Sequence, residues 1–439
     1  MGCPLSGPHG IGHPVRAALR SLGCESGVIL ITGRDRMRRS MHALSALTAS
    51  CLLAFTSAAH AQKKFDVILS GNIWYEHGFV SQKNDTDLRS TEARNRYRLN
   101  VMPRGVADNG LEYGARLRIR TVAGGVVDND RSYLFLNGSM GELRLGAQPG
   151  FDDEVNGLGA NASRPPEYLP DTSFSQWTGF VPAIRTAANG RYSGADVVGG
   201  IGSTMTIALF WPALEGMGLT DKLLYKSPRV AGFQVGGSYT PRTDSYNTDV
   251  NRVKRASTPA AQFTGSFQDV AEVGANYVET FNDVTVRLGA AYAYGKASQT
   301  TDSTDRFSDL REWHIGAQIN YGGLKVGADY IDHGKSGQNL RYAYTARFSA
   351  WDVGATYDLG PYRFALSYME GTDPGSSTLP GNRKVSAYEA GTLYRVAPGL
   401  AVGLRYTHYI ARSDRTVTAA SGSPNDRGNV VLSHVAVNF

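Results

Sequence analysis

The sequence predicts an all-β fold, a 16-stranded antiparallel transmembrane β-barrel. Three observations support this prediction: polar and apolar side chains alternate in segments of about ten residues, the connections between these segments are alternately short and long, and the number of segments is even. A closed barrel pairs every backbone N–H and C=O group in a lipid environment, which an open sheet cannot do. Beyond residue 61, no segment is apolar enough for a spanning helix.

The alternation is clear in Val284–Tyr294, where Val286, Leu288 and Tyr292 fall on one face of a strand and Arg287 falls on the other. On a helix these side chains would fan around the axis. A ten-residue strand rises roughly 33 Å, which at a tilt near 45° covers the approximately 25 Å apolar band of an outer membrane. The predicted strand cores are 65–75, 93–102, 111–121, 131–137, 141–148, 219–227, 229–240, 267–279, 283–295, 310–321, 324–333, 343–357, 361–370, 385–396, 399–410 and 429–439.

The connections predict which rim of the barrel is which. Those after even-numbered strands are short ("PRGVADNG", "NGSM", "SP", "TFN", "GG", "DLGP" and "AP"), and those after odd-numbered strands are longer and polar. Short periplasmic turns and long extracellular loops are typical of outer-membrane barrels. A soluble sandwich has no physical reason to segregate its loops in this way. Within the second long connection, "DNDRS" at Asp128 predicts a turn.

The stretch 37–61 predicts a cleavable secretory signal peptide, with two arginines, a central apolar run and a small-x-small triplet that ends at Ala61. A transmembrane anchor is the alternative, but serine and threonine interrupt the apolar run. Residues 1–36 lack such a pattern, and we expect them to be an upstream extension from a misplaced start codon. The barrel is then formed by the mature chain, 62–439.

Composition argues against other classes of protein. The three cysteines, Cys3, Cys24 and Cys51, precede the expected cleavage site, so the mature chain enters an oxidising compartment without disulfides. Six of the 45 basic residues and two of the 39 acidic residues also precede that site, which leaves the mature chain close to neutral. A role in binding nucleic acid therefore loses its compositional support. The histidines of the mature chain lack the spacing of metal ligands.

Arginine stands at every second position in "RNRYRLN" and again in "RLRIRTV". On strands these arginines share one face, opposite Tyr97, Leu99 and Leu117. The apolar face would meet lipid or a neighbouring subunit, and the arginine face would meet water inside the barrel. Two guanidinium groups about 5 Å apart repel by roughly 1 kcal/mol in water and about 3 kcal/mol at an effective dielectric constant of 20, so the arginines require a counter-charge. They are Arg94, Arg96, Arg98, Arg116, Arg118 and Arg120.

The third long connection runs for about seventy residues, a length typical of a functional or disordered loop. "GELRLGAQPGFDD" leads into it, the hairpin "LLYKSPRVAGFQVGGSYTP" follows it, and the chain ends in phenylalanine. With the leader and the sixteen strands, these features make residues 62–439 resemble the Gram-negative general porins, in particular those of α-proteobacteria. The resemblance implies that the third loop folds into the pore and that its acids face a ladder of basic residues on the barrel wall.

The resemblance also implies roles for individual residues. It assigns Arg96, Arg98, Arg116, Arg118 and Arg144 to the basic wall of a pore constriction, and Phe439 to the signal read by the barrel assembly machinery. We add Arg94 and Arg120, from the same alternating segments, to the basic wall. The extra segment "VVGGIGSTMTIALFWPALEGMG" makes the third loop longer than the family pattern, which leaves open which of its acids reach the constriction. The acidic side of the constriction is assigned to Asp152, Asp153, Glu154, Glu167 and Asp171.

The resulting hypothesis is an outer-membrane channel of a Gram-negative bacterium for passive diffusion of small hydrophilic solutes and ions. Homotrimers are implied by the resemblance, and outer-membrane lipid and lipopolysaccharide are the expected surroundings. We expect no nucleic-acid partner, no enzymatic activity and no cofactor, although loop carboxylates leave Ca²⁺ or another divalent cation open. The alternatives are a channel selective for phosphate or sugars, a secreted all-β adhesin or binding protein, and a barrel lipase for which no local sequence identifies a serine.

Overall fold

A computed structural model describes residues 65–83, 85, 88–121, 125–153, 174–181, 214, 220–244, 247–248, 250, 252, 255–256, 267–297, 299–300, 306–338, 340–341, 343, 347–375, 380–413 and 425–439. Nearly all of these residues lie in β-strands. No helix among them is long and apolar enough to cross a membrane.

Sixteen strands form a closed antiparallel barrel, in which each strand pairs with its neighbours in sequence and the last pairs with the first. Two further strands of two residues each, β8 and β11 below, form a separate parallel pair. The strands are β1 (Asp66–Gln82), β2 (Thr91–Val106), β3 (Glu112–Thr121), β4 (Val127–Gly138), β5 (Gly141–Gln148), β6 (Thr220–Lys226), β7 (Phe233–Arg242), β8 (Arg255–Ala256), β9 (Phe267–Phe281), β10 (Val284–Ala297), β11 (Gln299–Thr300), β12 (Leu310–Tyr321), β13 (Leu324–Gly334), β14 (Phe348–Leu359), β15 (Tyr362–Gly375), β16 (Pro380–Ala397), β17 (Leu400–Ser413) and β18 (Asp426–Asn438).

The predicted barrel, its strand number and its antiparallel order are confirmed. The seven short connections, β2–β3, β4–β5, β6–β7, β9–β10, β12–β13, β14–β15 and β16–β17, lie at one rim, which we name the short-turn end; the opposite rim is the long-loop end. Several strands are longer than predicted at the long-loop end. β1 continues to Gln82, and β16 begins at Pro380. Its 18 residues span roughly 60 Å, more than a membrane requires, so β16 projects beyond the apolar band.

Two local predictions were wrong. The turn between β6 and β7 was predicted at "SP", but the backbone reverses at Ala231 and Gly232, whose φ angles are 48° and 81°. Two positive φ angles define the type I′ turn that suits a hairpin, and proline cannot adopt one. The second error concerns "DNDRS", which was predicted as a turn. It lies within β4, because a β-bulge accommodates its extra residue in the strand.

The barrel closes between β1 and β18, which pair from Asn72 opposite Asn438 to Gln82 opposite Gly428. At the short-turn end, the N–H of Gly71 donates to the carbonyl of Phe439 at 2.8 Å, and the N–H of Phe439 donates to the carbonyl of Gly71 at 3.0 Å. The last residue of the sequence therefore extends the closing ladder by one pair.

The two faces of the sheet differ as the alternation predicts. On β1, Ile73 and Tyr75 are exposed on the outer face. The alternate residues, Trp74 and Glu76, are buried on the inner face. Tyr97 also lies exposed on the outer face, as predicted for the apolar side of the arginine strands. The outer surface thus carries a belt of exposed apolar side chains, and the inner wall carries the charged side chains together with a cluster of buried apolar ones.

Candidate functional site: the charged inner wall

The arginines of β2 and β3 point into the barrel. Arg94, Arg96 and Arg98 stand opposite Glu76, Trp74 and Asn72 of β1 in the ladder register. Nε of Arg94 lies 2.8 Å from Oε2 of Glu76. The guanidinium groups of Arg94 and Arg96 lie over the Trp74 ring, 5.6 and 5.1 Å from its centroid. The aromatic face and the carboxylate together hold two arginine side chains against the wall.

The main counter-charge of these arginines is Asp130 on β4. Its carboxylate is fully buried and accepts hydrogen bonds from Arg118 at 2.5 and 2.6 Å. Nη1 of Arg120 lies 3.0 Å from Oδ2 of Asp130, and Arg98 lies 3.9 Å away. Nη1 of Arg131 also lies 3.9 Å from Oδ2 of Asp130. One carboxylate thus holds four guanidinium groups, which lowers the repulsion that the sequence leads us to expect.

A β-bulge places Asp130 in this position. Arg118 pairs with Arg131, and the next residue of β3, Ile119, pairs with Asn129, so Asp130 is the extra residue of β4. A bulge changes the direction of a side chain relative to the regular alternation. Asp130 was missed in the sequence because "DNDRS" suggests a turn and because strict alternation does not reveal a bulge.

Arg144 and Arg116 complete the predicted basic wall. Nε of Arg144 lies 2.5 Å from Oε1 of Glu142, and Nζ of Lys226 lies 2.6 Å from Oε2 of the same carboxylate. Arg116 donates to the side-chain oxygen of Asn100 at 3.3 Å. Every arginine of the predicted wall therefore lies on β2, β3 or β5, and each has an acidic, polar or aromatic neighbour. We name these seven residues the arginine ladder.

The first turn of the third loop, Phe151–Asp153, lies against a different part of the wall. The carboxylate of Glu272 on β9 accepts hydrogen bonds from the backbone N–H of Phe151 at 2.8 Å and of Asp152 at 2.7 Å. Oδ2 of Asp152 lies 2.7 Å from Nδ1 of His314 on β12. Both side chains are fully buried. The predicted acid Asp152 therefore contacts β9 and β12, and Asp153 follows it at the inner wall, half-buried.

Further buried acids surround this contact. Nε2 of His314 lies 3.8 Å from Oδ2 of Asp329 on β13, and Asp329 stands opposite Asp352 of β14 in register. Both aspartates are buried. We name Glu272, Asp329 and Asp352 the acidic wall. β12 and β13 lie eight strands from β2 and β3 in either direction around the sixteen-stranded barrel, so the acidic wall lies across the lumen from the arginine ladder.

Sequence reasoning did not select the acidic wall, although the alternation contains a signal for it. In "KVGADYID" of β13, Asp329 falls on the polar face between Ala328 and Tyr330. What the alternation cannot show is which inward acids lie at the same height, because Glu272 and Asp352 belong to strands far apart in sequence. The predicted acids Glu154, Glu167 and Asp171 lie outside the described residues.

A second part of the third loop is docked on the opposite side of the lumen. The 3-10 helix Phe174–Phe180 contacts β1 and β18. The fully buried Trp177 stacks on Tyr409 of β17, with ring centroids 5.0 Å apart and an interplanar angle of 22°. The ring of Phe180 lies 4.8 Å from the guanidinium of Arg94. The described parts of the third loop thus contact the inner wall at two separate places.

The described residues contain no group of three or more histidine, cysteine, aspartate or glutamate side chains arranged to hold a metal ion. The side chains described above supply fixed charges and hydrogen-bond donors and acceptors to the inner wall. Such groups attract, orient and order small solutes and water.

Comparison with known proteins identifies the relatives of this chain. A model of the Gram-negative porin family matches residues 46–414. An uncharacterized protein of Rickettsia prowazekii is 23% identical over 457 residues, a match that covers 90% of this chain and 99% of that protein. An uncharacterized protein of Rickettsia conorii is 26% identical over 254 residues, which covers 50% of this chain and only 56% of that protein.

Two solved structures are similar in fold. The anion-selective porin from Comamonas acidovorans superposes with a TM-score of 0.53 at 15% identity, over 86% of this chain and 100% of that chain. The trimer form of in-vitro folded OmpT, an outer membrane protein of Vibrio cholerae, superposes with a TM-score of 0.52 at 13% identity, again over 86% and 100%. At these identities the similarity concerns the fold alone.

Proposed function

Because the chain belongs to the Gram-negative porin family, we propose that it is a passive channel for small hydrophilic solutes and ions, narrowed by its third loop. The family and the closed barrel support an outer-membrane channel in general. The proposal adds the class of solute, the narrowing and the residues responsible. The short-turn end faces the periplasm and the long-loop end faces the exterior, as in outer-membrane barrels.

The observation that carries the proposal is the separation of charge across the lumen. The arginine ladder lies on β2 to β5, and the acidic wall lies on β9, β13 and β14, with β12 and β13 halfway around the barrel from β2 and β3. Opposite charges on facing walls create a field across the channel. Such a field orders water, favours ions and polar solutes, and disfavours apolar ones.

The contacts of the third loop support its place inside the channel. Asp152 contacts His314 on one side of the lumen, and Trp177 stacks on Tyr409 on another. These partners lie on β12 and β17, five strands apart in the barrel order. Contacts of the two described parts with the inner wall support a third loop that reduces the area open to solutes.

Several partners are part of the proposal. The trimer form of the similar Vibrio cholerae protein supports a homotrimer here. The exposed apolar belt supports contact with outer-membrane lipid and lipopolysaccharide or with neighbouring subunits. Phe439, at the closing seam, is proposed as the residue read by the barrel assembly machinery. The channel activity requires no chemical step, and we propose none.

The test is planar-bilayer recording of the mature chain, 62–439, in a salt gradient. We expect stepwise insertion of ohmic channels. The variant Arg96→Glu/Arg98→Glu should shift the reversal potential toward cation selectivity, because it reverses two charges of the arginine ladder. The control is Lys384→Glu/Arg412→Glu, a pair of opposing residues on the outward positions of β16 and β17.

Two outcomes would contradict the proposal. Folded protein that inserts into the bilayer but passes no current would remove the open channel. An unchanged reversal potential in the arginine variant would leave the channel but remove the arginine ladder from its narrow part.

A further inference from the structure

A second group of cationic side chains lies on the inner wall near the short-turn end. It comprises four residues of β10, β13, β15 and β16 and one residue of the β6–β7 connection. Each of the four strand residues lies between two apolar residues of the outer face, all of them exposed except the half-buried Val286; Lys325, for example, follows Leu324 and precedes Val326. The alternation therefore turns all four into the lumen. We name this group the basic arc: Arg229, Arg287, Lys325, Arg363 and Arg395.

The cations of the arc act on one another. Arg287 lies close enough to Arg229 for the two positive charges to repel. Lys325 is repelled by Arg363, Arg287 and Arg395. Arg229 uses its guanidinium on neutral acceptors, the carbonyl of Gly232 and the side-chain oxygen of Asn276, both at 2.6 Å.

The carboxylate within the arc is already occupied. Both oxygens of Asp358 accept hydrogen bonds from Arg363, at 2.7 and 2.8 Å, and Oδ1 also accepts one from Arg395 at 3.1 Å. Asp358 attracts Lys325 only at longer range. Within the part of the chain that the structure describes, Arg287 makes no ion pair with a carboxylate. The arc therefore carries more positive charge than its own acid neutralises.

The arginine ladder differs in this respect. There, Asp130 holds three guanidinium groups of the ladder and that of Arg131, Asp128 accepts from Arg120 at 3.0 Å, and Glu76 accepts from Arg94. The ladder thus carries its counter-charges within the protein. The basic arc has fewer carboxylate acceptors than cationic donors. A small multivalent anion would supply both negative charge and several acceptor oxygens at once.

We propose that the basic arc is a binding site for small divalent oxyanions such as phosphate and sulfate. This inference rests on the proposed function, because the ligand reaches the arc through the lumen. The planar guanidinium of Arg287 and the ammonium of Lys325 supply charged donors on neighbouring parts of the wall, and Gln318 and Asn320 of β12 stand beside them in register. A bound anion at this mouth retains anions near the periplasmic entrance and reduces the current carried by chloride.

The experiment measures chloride current through single channels while inorganic phosphate is added on the short-turn side at constant ionic strength. A low ionic strength is used because salt screens the interaction. The wild-type channel should show saturable reduction of current by phosphate. The variant Arg287→Gln/Lys325→Gln should raise the half-blocking concentration by about tenfold or more, since two charged donors are lost.

The matched control, Lys384→Gln/Arg412→Gln, removes two positive charges from the outer face and should leave the half-blocking concentration unchanged. Sulfate added in place of phosphate separates a site for divalent oxyanions in general from one that prefers phosphate. If the double variant does not fold, Arg287→Gln alone is recorded.

Block that is absent in the wild type, or equal in the wild type and the arc variant, would overturn the inference while the channel itself still conducts. A folded protein that conducts no ions would contradict the proposed function instead. The two failures are therefore distinguishable in one recording.

Discussion

Nδ1 of His314 on β12 lies 2.7 Å from Oδ2 of Asp152 at the start of the third loop, and neither side chain is exposed to solvent. Beside this pair, the carboxylate of Glu272 accepts the backbone N–H groups of Phe151 and Asp152. The loop therefore enters the lumen through a fixed turn whose position depends on β9 and β12. Hydrogen bonds to a charged acceptor contribute about 1.5–3 kcal/mol each.

The substitution Glu272→Gln tests this fixed turn. We expect larger and noisier single-channel currents, because a glutamine amide offers one acceptor oxygen for two N–H groups and no charge. Faster cleavage of the third loop by added protease should accompany the change. Glu279→Gln, near the short-turn end of the same strand, should behave as the wild type. Unchanged currents and protease resistance in Glu272→Gln would show that the turn does not hold the loop.

The substitution Asp130→Asn tests the counter-charge of the arginine ladder. It should destabilise the folded barrel by about 3–5 kcal/mol, because Arg98, Arg118 and Arg120 lose their shared buried carboxylate. The reversal potential should shift toward anion selectivity. Asp128→Asn should have a smaller effect on stability and on the reversal potential, since the Asp128 carboxylate is partly exposed and pairs with one arginine of the ladder, Arg120. Denaturant titration followed by gel mobility measures stability; equal effects of the two variants would contradict the prediction.

The substitution Trp177→Ala tests the second docking point of the third loop. Replacing a fully buried tryptophan by alanine destabilises packing by about 3–5 kcal/mol. Because Trp177 lies between the loop and the wall, the substitution weakens the contact between them. We expect the barrel to form and the open-channel noise to increase. Tyr409→Phe keeps the stacked ring and removes the hydroxyl that donates to Asp426 at 2.8 Å, so its noise should stay near the wild-type level. A quiet channel in Trp177→Ala would indicate that the stack does not hold the loop.

Deletion of Phe439 tests the closing seam. The deletion removes both backbone hydrogen bonds to Gly71 and the terminal aromatic ring. For the deletion, we expect less folded barrel in outer-membrane fractions. The control Phe439→Tyr, which keeps the ladder pair and an aromatic ring, should assemble in normal amounts. Surface labelling and heat-dependent gel mobility measure the folded fraction. Normal assembly of the deletion would remove Phe439 as a determinant.

The alternation of polar and apolar side chains, with its period of two residues, explains how much of the fold could be predicted. It identified sixteen strands, their order and the inward direction of arginines such as Arg96, because burial of one face fixes the register of each strand. It failed where the backbone departs from regular pairing. The Ala231–Gly232 turn depends on φ angles that the sequence indicates weakly, and the bulge at Asp130 depends on one unpaired residue.

The candidate site was predicted on one side only. Six arginines of the ladder lie in two short alternating segments, so the period of two identified them, whereas Arg144 was assigned by resemblance. The acidic wall assembles Glu272, Asp329 and Asp352 from three strands, and the relative heights of these residues depend on the stagger of the whole barrel. Asp152 was predicted as an acid of the constriction, but its contacts with His314 and Glu272 follow from that stagger as well.

The bulge at Asp130 has an evolutionary consequence. Asp128 and Arg131 already face the lumen on either side of it, with Asn129 pairing outward opposite Ile119. Loss of the single codon for Asp130 would restore regular pairing and leave its neighbours on their present faces. The same event would remove the carboxylate shared by the arginines. Under the proposed function, one in-frame deletion would therefore change the ionic preference of the channel while the sixteen strands keep their pairing.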